Sequence, residues 1–192
     1  MLMSLRLPVC IVFALFIAAC AEPPNKEMDQ AQGAIDAAHA AGADRYAATE
    51  YTAATDALKR AQAAVAQGDY RQALNEALDS REHAQNAARE AAEARAQLRG
   101  EVERDMAQIA SLIAEANTRL AAASRSRASR RVIDAPRREL AAVNERVQKA
   151  GAAMKADDYL TARTALQGVK ERITRAMRTL ETPTVQSSRR RR

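Results

Sequence analysis

Few residues in this chain are of types that do chemistry. His39 and His83 are the only imidazoles, and neither has a second His or Cys at a metal-binding interval such as i, i+4. Both read as histidines on helix surfaces. The glycines are isolated, so no run of backbone amides can cradle a phosphate. Ser80, Ser111, Ser124, Ser126, Ser129, Ser187 and Ser188 have no neighbouring histidine to act as base. Carboxylates are abundant, but they alternate with arginines at helical spacing, the pattern of solvated ion pairs. The chain is therefore expected not to be an enzyme and to hold no cofactor and no metal. Two chemistries are left: the thiol of Cys20 and clustered guanidinium groups.

Cys20 ends the run Ile17-Ala18-Ala19-Cys20, which follows Arg6 and an apolar segment from Val9 to Ala19. Positive charge, a short apolar stretch and small residues in that order read as an export signal. The residues from Leu7 to Ala19 would rise roughly 20 Å as a helix, well short of the ~30 Å hydrocarbon core of a bilayer. The run resembles the lipobox of bacterial lipoproteins, in which Ile17, Ala18 and Ala19 would be the cleavage motif and Cys20 the acylated first residue of the mature chain. That resemblance implies a partner, membrane lipid held through acylated Cys20, since two or three acyl chains anchor firmly where one does not. Ala21, where an Asp would favour the inner membrane, implies the outer membrane facing the periplasm.

With residues 1–19 removed, the only aromatic side chains are Tyr46, Tyr51, Tyr70 and Tyr159, and no disulfide can form. Forty-seven of the 192 residues are Ala, so little large apolar surface exists for a thick core. Closely packed helices are what such a composition can build, because Ala, Arg, Glu, Gln, Leu and Lys are all good helix formers. Tyr51, Ala54, Leu58, Ala61 and Val65 fall at helical steps, and Leu140, Val143, Val147, Ala150 and Met154 repeat them. Tyr70, Ala73 and Ala77 then match Tyr159, Ala162 and Leu166, with Val169 and Ile173 continuing the second stripe, an internal duplication offset by 89 residues.

Caps mark the helix starts. Gly68 can take the left-handed conformation that ends a helix and Asp69 can accept the free amides that start the next. Asp158 repeats this cap, Asp157 standing where the first turn has glycine. Asp44 after Gly42, and Asp134 before Pro136, are read the same way. The expected helices are 27–41, 45–67, 70–123, 135–156 and 159–180, with Gly100 weakening the third without breaking it. The expected fold is all-α, an elongated antiparallel helical bundle of two duplicated units sharing one long central helix. Its parts are a signal peptide at 1–19, a lipidated tether at 20–26 with Pro23-Pro24, repeats at 27–97 and 98–181, and a basic tail at 182–192.

The helical pair joined by Gly68-Asp69-Tyr70, with Ala73 three residues beyond the tyrosine, resembles an uncharacterised domain of bacterial lipoproteins. That domain sometimes precedes an OmpA-like peptidoglycan-binding domain. The resemblance is best over Ala43–Ala92 and weaker over Ile133–Leu180, and it implies class and location without an activity. Gly68-Asp69-Tyr70-Arg71-Gln72-Ala73 also resembles the turn of a tetratricopeptide repeat, but the 34-residue period and its large residues are absent.

Arg119, Arg125, Arg127, Arg130, Arg131, Arg137 and Arg138 surround a single acid, Asp134, and the chain ends in Arg189-Arg190-Arg191-Arg192. With screening over about 8 Å, such runs act as local patches toward polyanions. Arg125, Arg127, Arg130, Arg131 and Arg189 to Arg192 are the candidate contacts, set against a solvated linker and tail. No aromatic platform or reading motif supports nucleic acid as a partner. The expected function is that of a lipid-anchored periplasmic protein with a structural or interaction role, its partners peptidoglycan, anionic lipid or another envelope protein. The alternatives are a tetratricopeptide-like peptide-binding or export-accessory module and a nonspecific polyanion binder. Periodicity leaves the oligomeric state open, since alanine seams close equally well within a chain or between chains.

Overall fold

The structure, a computed structural model, describes residues 22–126 and 130–189. The described residues form helices α1 (Asn25–Ala40), α2 (Ala43–Tyr46), α3 (Ala48–Ala66), α4 (Tyr70–Arg125), α5 (Arg130–Lys155), α6 (Tyr159–Leu166) and α7 (Val169–Arg189), with no strand among them. The fold is all-α, as the composition predicts. It divides into two compact units at Ala92/Glu93, so that the 56-residue α4 is the last helix of the first unit and the first helix of the second.

Within the first unit, α1, α3 and the start of α4 pack as an up-down-up trio on very small side chains. Ala31, Ile35, Ala54, Leu58 and Ala84 form one buried cluster, and Ala38, Ala43, Ala47, Ala87 and Ala91 a second. On the part of α4 that belongs to the first unit, the fully buried positions are Ala73, Ala77, Ser80, Ala84, Ala87 and Ala91, alternating steps of four and three along one helix face. Adding 89 to each gives Ala162, Leu166, Val169, Ile173, Ala176 and Leu180, all of them buried in the second unit. The duplication read from the sequence is thus a duplication of the packing. The side chains themselves differ: the second unit fills its seam with Val102, Ile109, Val143, Val169 and Ile173.

The two turns share their backbone and cap hydrogen bonds. Asp69 N donates to Ala64 O at 3.0 Å and Asp158 N to Ala153 O at 2.9 Å. Asp69 Oδ1 accepts from Gln72 N at 3.0 Å and Asp158 Oδ1 from Thr161 N at 3.1 Å, so both aspartates cap as expected. Gly68 is left-handed at φ +77°, and Asp157 takes the same conformation at φ +55° without glycine's freedom. Its carboxylate accepts the Tyr159 hydroxyl at 2.6 Å.

Four expectations are corrected. Asp134 does not start a helix: α5 already includes Arg130 and runs through Pro136. Ile133 and Pro136 are both buried and continue the stripe of Leu140 and Val143, so packing carries the helix upstream at the cost of one backbone hydrogen bond. Asp44 lies inside the single turn α2, where Gly42 at φ +84° holds the cap position and no side chain caps. The helix expected over 45–67 is therefore interrupted at Ala47 (φ −141°), where the chain tucks buried Ala43 and Ala47 against Ala87 and Ala91. The helix expected over 159–180 is broken between Leu166 and Val169 by Gly168 at φ +71°.

The Asp157 turn generates two expected outcomes. Asp157→Ala and Asp157→Gly lose the same phenol acceptor, so in urea unfolding the alanine variant should be the less stable by about 1 kcal/mol, the left-handed penalty alone. The bond to Asp157, followed by burial and by the same carboxylate's charge, raises the Tyr159 pKa above its usual 10.0. A raised folded pKa means the contribution is complete below pH 10.0 and lost as pH rises through the folded value. Tyr159→Phe should therefore flatten that alkaline fall in stability.

Candidate functional site

The described arginines of the first basic run lie at the end of α4 and the start of α5, where Leu180 and Glu181 of α7 come close to the end of α4. Arg125, Arg130, Arg137 and Arg138 are exposed and make no ion pair with any described residue. Arg119 is different. Its guanidinium grips Glu115 one turn back, at 2.6 Å, and also Glu181 of α7, so it ties two helices together and does not belong to the free patch. Arg119, Ala122, Ala123, Ser126, Leu180 and Glu181 line a shallow groove of about 410 Å³. Arg127 and Arg190 to Arg192 lie outside the described residues. Arg131 and Arg189 lie in α5 and α7. Cys20, Ile17, Ala18 and Ala19 also fall outside the described residues.

The first described residues line a second concavity. Glu22, Pro23, Pro24, Asn25, Lys26 and Glu27 face Tyr70, Arg71 and Leu74 across a groove of about 620 Å³. Leu78, one turn beyond Leu74, is the exposed large apolar residue among those described. A third groove, of about 360 Å³, opens in the second unit between α5 and α6 and is lined by Arg146, Lys149, Leu160, Thr161, Thr164 and Ala165. There Arg146 Nε donates to Ala165 O at 3.1 Å, while Lys149 is exposed.

The histidines take structural positions. His83 Nδ1 lies 2.8 Å from Glu50 Oε2, joining α4 to α3, and the His39 ring tilts against Tyr51 at 6.1 Å between centroids. No cluster of three His, Cys, Asp or Glu able to hold a metal occurs among the described residues. Ser80 is the seam residue that the chemical reading passed over: fully buried, its hydroxyl donates to Ala54 O at 2.8 Å. Its place between Ala77 and Ala84 in the buried stripe was the available signal. No helix among the described residues is long and apolar enough to cross a membrane.

A family model, Domain of unknown function (DUF4398), matches residues 26–102. The match takes in nearly all of α1, then α2, α3 and α4 as far as Val102, past the boundary of the first unit. No curated protein and no solved structure matches the chain.

Ser80→Ala should lower the stability of the first unit by about 1 kcal/mol, the net value of one buried hydrogen bond, without disturbing the seam. Ser80→Leu should cost more, by overpacking a position with methyl-sized neighbours. Denaturant melts of the two variants check both.

Proposed function

We propose that this protein is a lipid-anchored lipoprotein of the bacterial envelope, facing the periplasm from the outer membrane, with a structural or interaction role. The observation that carries this reading is Cys20 placed directly after Ile17-Ala18-Ala19 and an apolar segment too short to span a bilayer. The fold supports it. Glu22 is two residues from Cys20 and opens the groove that Pro23, Pro24, Tyr70 and Leu74 line. At no more than about 3.6 Å per residue, a Cys20 thioether keeps that end of the first unit at the lipid surface. Tyr70 suits an interfacial depth, with an apolar ring and a hydroxyl for water.

The exposed arginines Arg125, Arg130, Arg137 and Arg138, together with Arg189 to Arg192, supply electrostatic contact to a polyanion, either wall polymer or anionic headgroups. Such contact is sequence-independent and sensitive to salt.

Metabolic labelling with palmitate should mark the native chain and fail to mark Cys20→Ala, which should leave the membrane fraction. Label retained in that variant overturns the anchor. Binding of the delipidated chain to phosphatidylglycerol vesicles or to peptidoglycan should fall roughly tenfold or more when Arg189 to Arg192 are deleted, and should fall again as salt rises. Indifference to both removes the arginines from the proposal.

A further inference from the structure

We infer that the groove between α5 and α6 binds a glutamate-like carboxylate side chain presented by another polypeptide. The two units differ at one ion pair. In the first unit Arg60 of α3 donates from Nε to Glu76 Oε2 of α4 at 2.7 Å, with Glu76 only 18% exposed. The offset of 89 that superposes the two turns carries Arg60 to Lys149 and Glu76 to Ala165. The cation is kept and its carboxylate is gone.

A second cation replaces it. The same offset carries Ala57, fully buried in the first unit, to Arg146. Arg146 spends Nε on Ala165 O, at the residue where the first unit bears its glutamate, and its terminal guanidinium nitrogens bond no described residue. Two positive groups thus border a groove of about 360 Å³ at the level where the sister unit seats a glutamate. Glu145 lies four residues before Lys149, and the structure pairs it with neither cation.

The rest of the lining fits an acidic side chain better than a bare inorganic anion. Leu160 and Ala165 offer an apolar wall for methylenes. The Thr161 hydroxyl is committed to Asp158 at 2.8 Å and that of Thr164 to Leu160 O at 2.8 Å, so the donors left for a ligand are cationic. A carboxylate accepts two charge-assisted bonds from such a pair, as Glu76 accepts one from Arg60.

The test titrates the full mature chain with a fluorescent acetyl-Ala-Glu-Ala-Glu-Ala-amide peptide and with its Gln counterpart, following anisotropy. The acidic peptide should bind, and the Gln peptide about tenfold or more weakly, the value of a charge-assisted bond. Lys149→Gln and Arg146→Gln should each weaken binding to a similar extent, while Arg138→Gln, on α5 outside the groove, should not. Ala165→Glu keeps both cations but restores the glutamate of the first unit, so it should block the site from within; Lys149→Gln, altering one exposed side chain, keeps the test meaningful if that variant folds poorly. Equal binding of the two peptides, undiminished binding by Ala165→Glu of native circular dichroism, or displacement by equimolar inorganic phosphate would overturn the inference. None of these outcomes bears on the Cys20 anchor, which uses other residues.

Discussion

Most of this architecture follows from the size of one side chain. In the first unit Ala31, Ala38, Ala43, Ala54, Ala57, Ala61, Ala73, Ala77, Ala84, Ala87 and Ala91 are all wholly buried, so the helices meet on methyl groups. Each methyl removes little apolar area from water, and the seam gains stability through many close dispersion contacts along helices of high intrinsic propensity. Length is then a requirement, because a short helix with so thin a stripe would not hold together. Ser80 shows how narrow the tolerance is. It is accepted because it is close to alanine in size and because the Ala54 carbonyl accepts its hydrogen bond.

The second unit keeps the backbone solution while relaxing this limit. Both turns make the same backbone hydrogen bonds, yet Ala84 is answered by Ile173, Ala77 by Leu166 and Ser80 by Val169. Larger knobs on facing helices need more room, and α6 and α7 are separate helices where α4 continues unbroken through the equivalent stretch. Leu166 and Val169 are buried on either side of the Gly168 break, so the interruption changes the course of the backbone without losing the apolar face. What duplication preserved is the turn geometry and the phase of the stripe; the volume of the seam diverged.

That distinction explains what could be read in the amino-acid order. The stripes through Leu58 and Ala61, or Val143 and Ala150, were legible because burial and period coincide. The break at Gly168 was hidden because Ala162, Leu166, Val169 and Ile173 keep helical steps straight across it. Asp134-Ala135-Pro136 imitates a helix start, and only burial of Ile133 upstream shows that the helix is already under way. Asp44 misleads for a related reason: the buried alanines at 43 and 47 decide the path there, and alanine carries no turn signal. The arginine runs were visible, but that Arg119 is committed to Glu115 and Glu181 needed the packing of α7 on α4. The groove at Arg146 and Lys149 was in principle within reach, since the offset of 89 pairs Glu76 with Ala165; its meaning depended on knowing that Arg60 and Glu76 touch.

A scaffold stabilised by its seam also leaves its surface charges free to change. The Arg60–Glu76 pair is more than half exposed on the arginine side, at 55%, and such pairs are worth at most about 1 kcal/mol. Its absence from the second unit is therefore small against the area gained at Val143, Val169 and Ile173, where each added methylene contributes about 0.8 kcal/mol. A carboxylate can be lost there and a second cation gained without threatening the fold. Arg146 stands where the first unit has buried Ala57, a seam position that admits it because its stem is long enough to carry the guanidinium out to the groove and the Ala165 carbonyl accepts from its Nε. The second unit thus combines a seam of larger side chains with two cations on its flank that no described carboxylate pairs, and the fold tolerates the second because the first carries its stability.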